Sequence, residues 1–278
     1  MNEQASNHRP RNQLIAALPE QDYEALEPYL ERVTLEIRDL LFDVNELIEY
    51  VYFPENCVGS IVSLMTDGSA VETATVGNEG MIGMPVFHGT DRTSSQAYCQ
   101  VRGEALKLRA DVFRREIRAS KVFTLMLHKY SQALFALVGQ SSACNRIHPM
   151  KQRCARWLLH THDRVGANDG VHRFHLTQQF LSQMLGVRRA TVTEAMSALQ
   201  EQGAIEYQMG VIDIVDRARL EAAACECYAI VRSEFDRLLA DHQFDGVRTP
   251  NPLDGLKTSE RGKSTAGDAV PRGDDQRG

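Results

Sequence analysis

From Lys121 to Ile147 the chain carries no proline, and its apolar residues recur every three or four positions, KVFTLMLHKYSQALFALVGQSSACNRI. That period belongs to a helix. The pair His148-Pro149 ends it, because proline disfavours helical geometry in the residue before it. Val122, Met126, Tyr130, Ala133 and Leu137 fall on one face, and Phe123, Leu127, Leu134 and Val138 on an adjoining one. One apolar face would suffice to dock the helix on a neighbouring domain. Two predict that one packs on the β-rich domain and the other on another copy of the same helix, so a homodimer is expected. The helix also divides the chain, because the patterning before it differs from the patterning after it.

Before it, residues 12–31 read as short helical pieces interrupted by Pro19 and Pro28. From about Val33 to Leu108, short β-rich runs alternate with turn residues. VYF (51–53) ends at Pro54, SIVSLM (60–65) runs into Asp67-Gly68, and VETATV (71–76) leads into the glycine-rich turn of VGNEGMIG. Asp-Gly between two such runs is a strong hairpin signal. Strands at this spacing predict a compact antiparallel β-roll of the jelly-roll kind. ADVFRREIRAS reads as a short helix that joins the roll to the long one.

After it, MKQRCARWLLHTHDRV forms a helix that stops at Gly166. The segment LTQQFLSQMLGVRRATVTEAMSALQEQGAI (176–205) then carries two helical patterns in close succession. Thr177 can cap the first. Phe180, Leu181, Met184 and Leu185 give it one apolar side, and Gly186 supplies the positive φ that its C-terminal end needs. Val192, Met196 and Leu199 form the inner side of the second helix. Two helices joined by a short glycine-containing turn make a helix-turn-helix unit. GAIEYQMGVIDIV, two β-runs around Met209-Gly210, reads as a wing hairpin. The expected fold class is therefore α+β. Its parts are an antiparallel β-roll sensor domain (12–118), a long dimerisation helix (119–148), a winged helix-turn-helix (149–218), a C-terminal helix (219–240) and a disordered tail (241–278).

In a helix-turn-helix the N-terminal residues of the second helix reach base edges in the major groove. Here the predicted base contacts are Arg189, Ala190, Thr193 and Glu194, for arginine grips guanine O6 and N7 and glutamate accepts from cytosine N4. Thr177, Gln178, Gln179, Arg188 and Thr191 lie nearer the helix starts, where phosphate oxygens are met. Cations at a helix N-terminus oppose the macrodipole by about 0.3–1 kcal/mol each. Two adjacent arginines at such a place therefore point to an external anion.

The formal net charge is −6, which argues against indiscriminate polyanion binding. The charge is uneven, however. Residues 1–60 hold four Lys/Arg against twelve Asp/Glu, while residues 149–218 hold eight against seven, so site-specific DNA contact stays open. No apolar run suits a membrane span, and the N-terminus has no apolar signal core. Six cysteines in this length do not make a disulfide framework, and a reducing cytoplasm fits them. Neither G-x-S-x-G nor G-x-x-x-x-G-K-[ST] occurs, and His88 is the only histidine between residues 33 and 108, so no enzyme is expected. Cys57, Cys99, Cys144 and Cys154 are too scattered for an iron–sulfur cluster. Cys225 and Cys227, two apart on a helix, point to different sides of it. His160, His162, Asp163, His172 and His175 lack a metal-binding spacing. Neither a metal site nor a cofactor is expected.

The order of these parts, and LTQQFLSQMLGVRRATVTEAMSALQEQGAI with RCARWLL before it, resembles the Crp/Fnr superfamily of bacterial transcription regulators over residues 12 to about 218. VGNEGMIGMPVF and GEALKLRADVFRREI carry the looser resemblance in the sensor. The resemblance implies a cyclic-nucleotide-binding-like sensor and a homodimer on a two-fold operator, with RNA polymerase as a further partner. It also places an effector pocket at Gly83, Met84, Arg92, Thr93 and Val138. The phosphate cassette of the nucleotide-binding members departs here. Gly83-Met84-Pro85 lacks the carboxylate that holds the ribose, and Arg92-Thr93-Ser94 supplies its cation two residues early. Val138-Gly139 stand where the cyclic-AMP binders carry Thr-Ser. An unpaired buried polar group costs about 1–3 kcal/mol, so cyclic AMP is not expected; a different small ligand stays open, as does constitutive DNA binding with the sensor serving only as a dimer scaffold. Ala190 and Glu194 replace an acid and a base of those regulators, so the operator differs too. The alternative is a sensor or scaffold acting through protein contacts.

Overall fold

The structure, a computed structural model, describes residues 9–166 and 172–239. The expected tail from Asp241 onward lies outside these residues. Helices α1 (Gln13–Ala16) and α2 (Glu20–Leu26) lead into strands β1 (Glu31–Leu35), β2 (Leu40–Phe42), β3 (Tyr50–Pro54), β4 (Val58–Leu64) and β5 (Ala70–Val76). The short α3 (Met84–Phe87), β6 (Ser95–Val101), β7 (Gly103–Arg109) and α4 (Ala110–Ala119) complete the first half. Then come α5 (Lys121–Ile147), α6 (Met150–Val165), β8 (Arg173–His175), α7 (Gln178–Met184), α8 (Arg189–Glu201), β9 (Ile205–Gln208), β10 (Val211–Ile214), α9 (Arg217–Ala223) and α10 (Cys227–Leu239).

The roll is two antiparallel sheets, ordered β1-β7-β3 and β2-β6-β4-β5. Asp67-Gly68 turns β4 into β5, with Gly68 at φ 83°. Inside, Phe53, Phe113 and Phe123 form an aromatic triangle with centroids 5.9–6.4 Å apart, a spacing suited to tilted ring packing. Phe123 and Tyr130 bring α5 into this core, and the Tyr130 hydroxyl donates to the Met81 carbonyl at 3.3 Å. Gly80 is required there, because a Cβ would lie 2.2 Å from the Tyr130 hydroxyl.

Helix α5 spans the predicted residues, starting at Ser120, whose Oγ accepts from Phe123 N, and ending at His148, which is extended at ψ 143°. Both of its apolar faces are largely covered by the rest of the chain. Phe123, Met126, Leu127, Tyr130, Ala133 and Leu137 are all buried within one protomer. Leu134 and Val138 pack with Leu137 and Ala74 against Val231 and Phe235 of α10. The C-terminal helix thus covers part of the second face, at Leu134 and Val138. Val122 of the first predicted face is exposed, and α5 also leaves outward a row at steps of three and four: Leu125, His128, Gln132, Phe135, Gly139, Ser142 and Arg146. Phe135 is 74% exposed.

The predicted single helix over 219–240 is two helices. Asp216 caps α9, the chain becomes extended at Ala224 (ψ 162°), and α10 begins at Cys227. The break lets the chain turn back onto α5 and bury Tyr228 and Val231. It also corrects the reading of Cys225 and Cys227, which do not diverge around one helix but both turn inward beside Cys144.

Candidate nucleic-acid interface

The reading unit is built on one apolar seam. Phe180, Leu181, Met184 and Leu185 meet Val192, Ala195, Met196 and Leu199 in a core that also takes Leu158 and Leu159 of α6. Thr177 caps α7, its Oγ1 accepting from Phe180 N at 3.1 Å, which leaves the hydroxyl proton free to donate. Gly186 adopts φ 63° at the turn, where a side chain would be strained. Arg188 then stands at the N-cap of α8 with extended backbone and no side-chain cap. Thr191 N and Val192 N of α8 donate to the Arg188 carbonyl at 3.0 and 3.4 Å, and the first amides of a helix are where an anion is met.

Arg188, Arg189, Ala190, Thr193 and Glu194 are exposed, as are Thr177 and Gln179, while Gln178 and Thr191 are half-buried. The neighbouring cations are tied down: Arg173 to Asp213 at 2.6 Å, Arg217 to Asp163 at 2.7 Å and Arg219 to Asp216 at 3.1 Å. Among the described residues Arg188 and Arg189 pair with no carboxylate. Thr193 has a more local engagement than a base contact alone. Its Oγ1 lies 2.9 Å from Gln178 Oε1 and 3.1 Å from the Arg189 carbonyl, bracing α8 on α7. The wing turn has positive φ at both Met209 (50°) and Gly210 (79°), the geometry of a two-residue hairpin. Met209, 91% exposed, forms its tip. A third strand, β8, pairs with β10 and was not evident in the sequence.

The unit does not stand apart from the roll. Val58, Val62 and Val101 of the four-stranded sheet share its core, and Phe180 meets Tyr98 edge-on at 6.0 Å. The indole Nε1 of Trp157 on α6 donates to Glu72 Oε1 on β5 at 2.7 Å, and Ser60 Oγ lies 2.6 Å from Glu72 Oε2. Burial raises the Glu72 carboxyl above its ordinary range, opposed by the bonds from Ser60, Trp157 and Thr75. Below it, Arg164 Nε donates to Glu79 Oε1 at 2.7 Å, a buried ion pair between α6 and the turn after β5. Trp157, Arg164 and Glu72 were not singled out in the sequence. The lone tryptophan and a carboxylate within a strand were the available signals.

The residues expected to form an effector pocket have separate neighbours among the described residues. Gly83 (φ 110°) and Met84 are buried beneath Val51. Arg92 is exposed and donates to the Asn45 carbonyl at 2.6 Å, and Thr93 accepts from Asn45 N through its own carbonyl. Val138 packs on Ala74 and Val231. A groove of about 370 Å³ opens elsewhere, where Glu79, His160, His162, Asp163, Arg217 and Arg232 meet. There His162 Nε2 is 3.0 Å from His172 Nδ1.

Residues 152–223 match the model of the Crp-like helix-turn-helix domain. FixK2 from Bradyrhizobium japonicum has a similar fold (TM-score 0.60) at 16% identity, covering 70% of this chain and 98% of its own. A putative Crp/Fnr transcriptional regulator from Eubacterium rectale is also similar (TM-score 0.57, 14% identity, 74% and 94% covered). So is CLP, a c-di-GMP-responsive global regulator from Xanthomonas campestris (TM-score 0.52, 11% identity, 70% and 99% covered). No curated protein matches the sequence. Residues 152–223 therefore form a Crp-like helix-turn-helix domain. The described residues before that domain, including the β-roll and α5, share the fold of these Crp/Fnr-type structures. No helix among the described residues is long and apolar enough to cross a membrane.

Proposed function

We propose that this protein is a cytoplasmic, sequence-specific transcription regulator that binds a two-fold operator as a homodimer. The observation that carries the reading is the start of α8, where Arg188 at the N-cap and Arg189 at the first helical position are both exposed. Arg189, Ala190 and Glu194 read bases. Thr193 contributes through its hydroxyl while bracing α8. Thr177, Gln178, Gln179, Arg188 and Thr191 hold phosphates. The exposed 3-4 seam of α5 supports the homodimer, since such spacing forms a coiled-coil interface, and Gly139 leaves room for close approach. RNA polymerase is the further partner of a DNA-bound regulator.

Regulation in this reading is a shift between the docked arrangement, held by Trp157–Glu72 and Arg164–Glu79, and one released at His148-Pro149. A small ligand other than cyclic AMP biases it only by binding one arrangement better. The test is selection of bound fragments from random DNA by wild type and by Arg189→Ala. The variant should lose about 1–3 kcal/mol and its preference at one base pair per half-site. An unchanged sequence preference, or no enrichment of any site by the wild type, overturns the reading in favour of a scaffold.

A further inference from the structure

Three of the six cysteines meet at the hinge. Cys144 lies in the last turn of α5, Cys225 in the break before α10, and Cys227 at the first position of α10. They form a buried cluster of their own, 0–5% exposed, with no aliphatic side chain among its members. A buried cysteine usually packs as a small hydrophobe among others, and these three pack on each other. His148, the C-cap of α5, closes the group, and one ligand atom from each of the four residues lies within 4.8 Å of the rest. Cys144 Sγ is 3.5 Å from Cys225 Sγ, and Cys227 Sγ is 3.5 Å from His148 Nδ1.

We propose that Cys144, His148, Cys225 and Cys227 form a tetrahedral Cys3His site for a zinc ion, which fastens the hinge to the start of the C-terminal helix. Zinc takes sulfur at about 2.3 Å and imidazole nitrogen at about 2.0–2.1 Å, so tetrahedral ligand atoms stand roughly 3.5–3.8 Å apart. The Cys144–Cys225 and Cys227–His148 separations, both 3.5 Å, are close to this, and all four ligand atoms lie within 4.8 Å of one another. The spacing suits one ion rather than an iron–sulfur cluster, whose thiolates bind separate irons across a larger cage.

The surroundings carry the same chemistry. His148 turns Nδ1 to the sulfurs while Nε2 lies 3.2 Å from Glu226 Oε1. A carboxylate on the far nitrogen is how a zinc-bound histidine is oriented and held in the right tautomer. Gln140 Nε2 donates to Cys227 Sγ at 3.0 Å. Three thiolates and a neutral imidazole leave a zinc site one charge negative. Arg153 and Arg156 of α6 lie close enough to act on the sulfurs as counter-charges. In sequence the site is Cys-x3-His, which shares one helix face, followed far downstream by Cys-x-Cys. No metal was expected from those spacings, because the two halves meet only when α10 folds back on α5.

The experiment uses the full chain expressed with zinc and purified under reducing conditions without chelator. Elemental analysis should find about one zinc per chain. Stripped protein titrated with Co2+ should give the intense visible bands of tetrahedral thiolate coordination, bleached by Zn2+. Cys144→Ser, Cys225→Ser and Cys227→Ser should each bind zinc at least about tenfold more weakly, whereas Cys99→Ala and Cys154→Ala should keep it. Wild-type protein with reduced thiols that takes up neither zinc nor cobalt overturns the proposal, whatever the variants do. So does an iron–sulfide centre, a Cys144–Cys225 disulfide in place of metal, or full zinc binding by a folded Cys144→Ser/Cys225→Ser variant. None of these readouts involves DNA, so failure here leaves the DNA-binding reading standing.

Discussion

Arg188 and Arg189 are neighbours whose surroundings give them different work. Arg188 sits at the N-cap with extended backbone, while Arg189 is the first residue of α8. A phosphate contact carries charge but no sequence information. Arg188→Ala should therefore weaken binding to all sites alike and lower the salt slope by about one. Gel shifts over a range of salt, on an operator and on unrelated DNA, check this; loss confined to the operator would assign Arg188 to a base instead. The sequence made both arginines conspicuous, because their position at a helix start is legible from Gly186 and the apolar spacing after it. It could not show Thr193 leaning on Gln178, since that bond crosses between two helices.

Among the elements, α5 is the one whose surroundings the sequence showed least. Its extent follows from local rules, helical period at one end and His148-Pro149 at the other. Which face meets which partner depends on α10, whose covering of Leu134 and Val138 leaves Phe135 outward. Phe135→Glu should shift the protein from dimer to monomer in sedimentation velocity and lower operator affinity, with little change in monomer folding. A dimer of unchanged strength would place the interface elsewhere. The α6–β5 contact gives a second expectation. Trp157→Phe removes the donor to Glu72 and should cost about 1–3 kcal/mol in urea unfolding. If the bond matters, a double-mutant cycle with Glu72→Ala should show coupling.

At the scale of the whole molecule, the roll and the reading unit share buried polar groups, and these make stability depend on pH. His160 is buried against Tyr228 with its Nε2 unpartnered among the described residues. Burial first, then Arg164 and Arg156, hold its pKa well below the ordinary histidine value. The folded protein keeps this imidazole neutral while the unfolded chain protonates it below about 6.5. The unfolded state thus binds more protons there, and stability falls as pH drops from about 7 toward 5.5. His160→Leu should flatten that part of the melting-temperature curve. A slope as steep as wild type would trace the acid sensitivity to other groups.

Local order along the chain was enough to set the β-roll with its Asp-Gly hairpin, the long helix and its proline stop, and the helix-turn-helix with its wing. Each rests on interactions within a few residues, namely period, caps and turn glycines, which a single sequence displays directly. The split between α9 and α10, the inward turn of Cys225 and Cys227, the Glu72–Trp157 and Glu79–Arg164 ties and the exposed seam of α5 were decided only by the tertiary structure. They join residues from about 80 to 90 positions apart, or depend on what another element leaves uncovered. No local period records which distant surfaces will meet, because burial is a property of the folded chain.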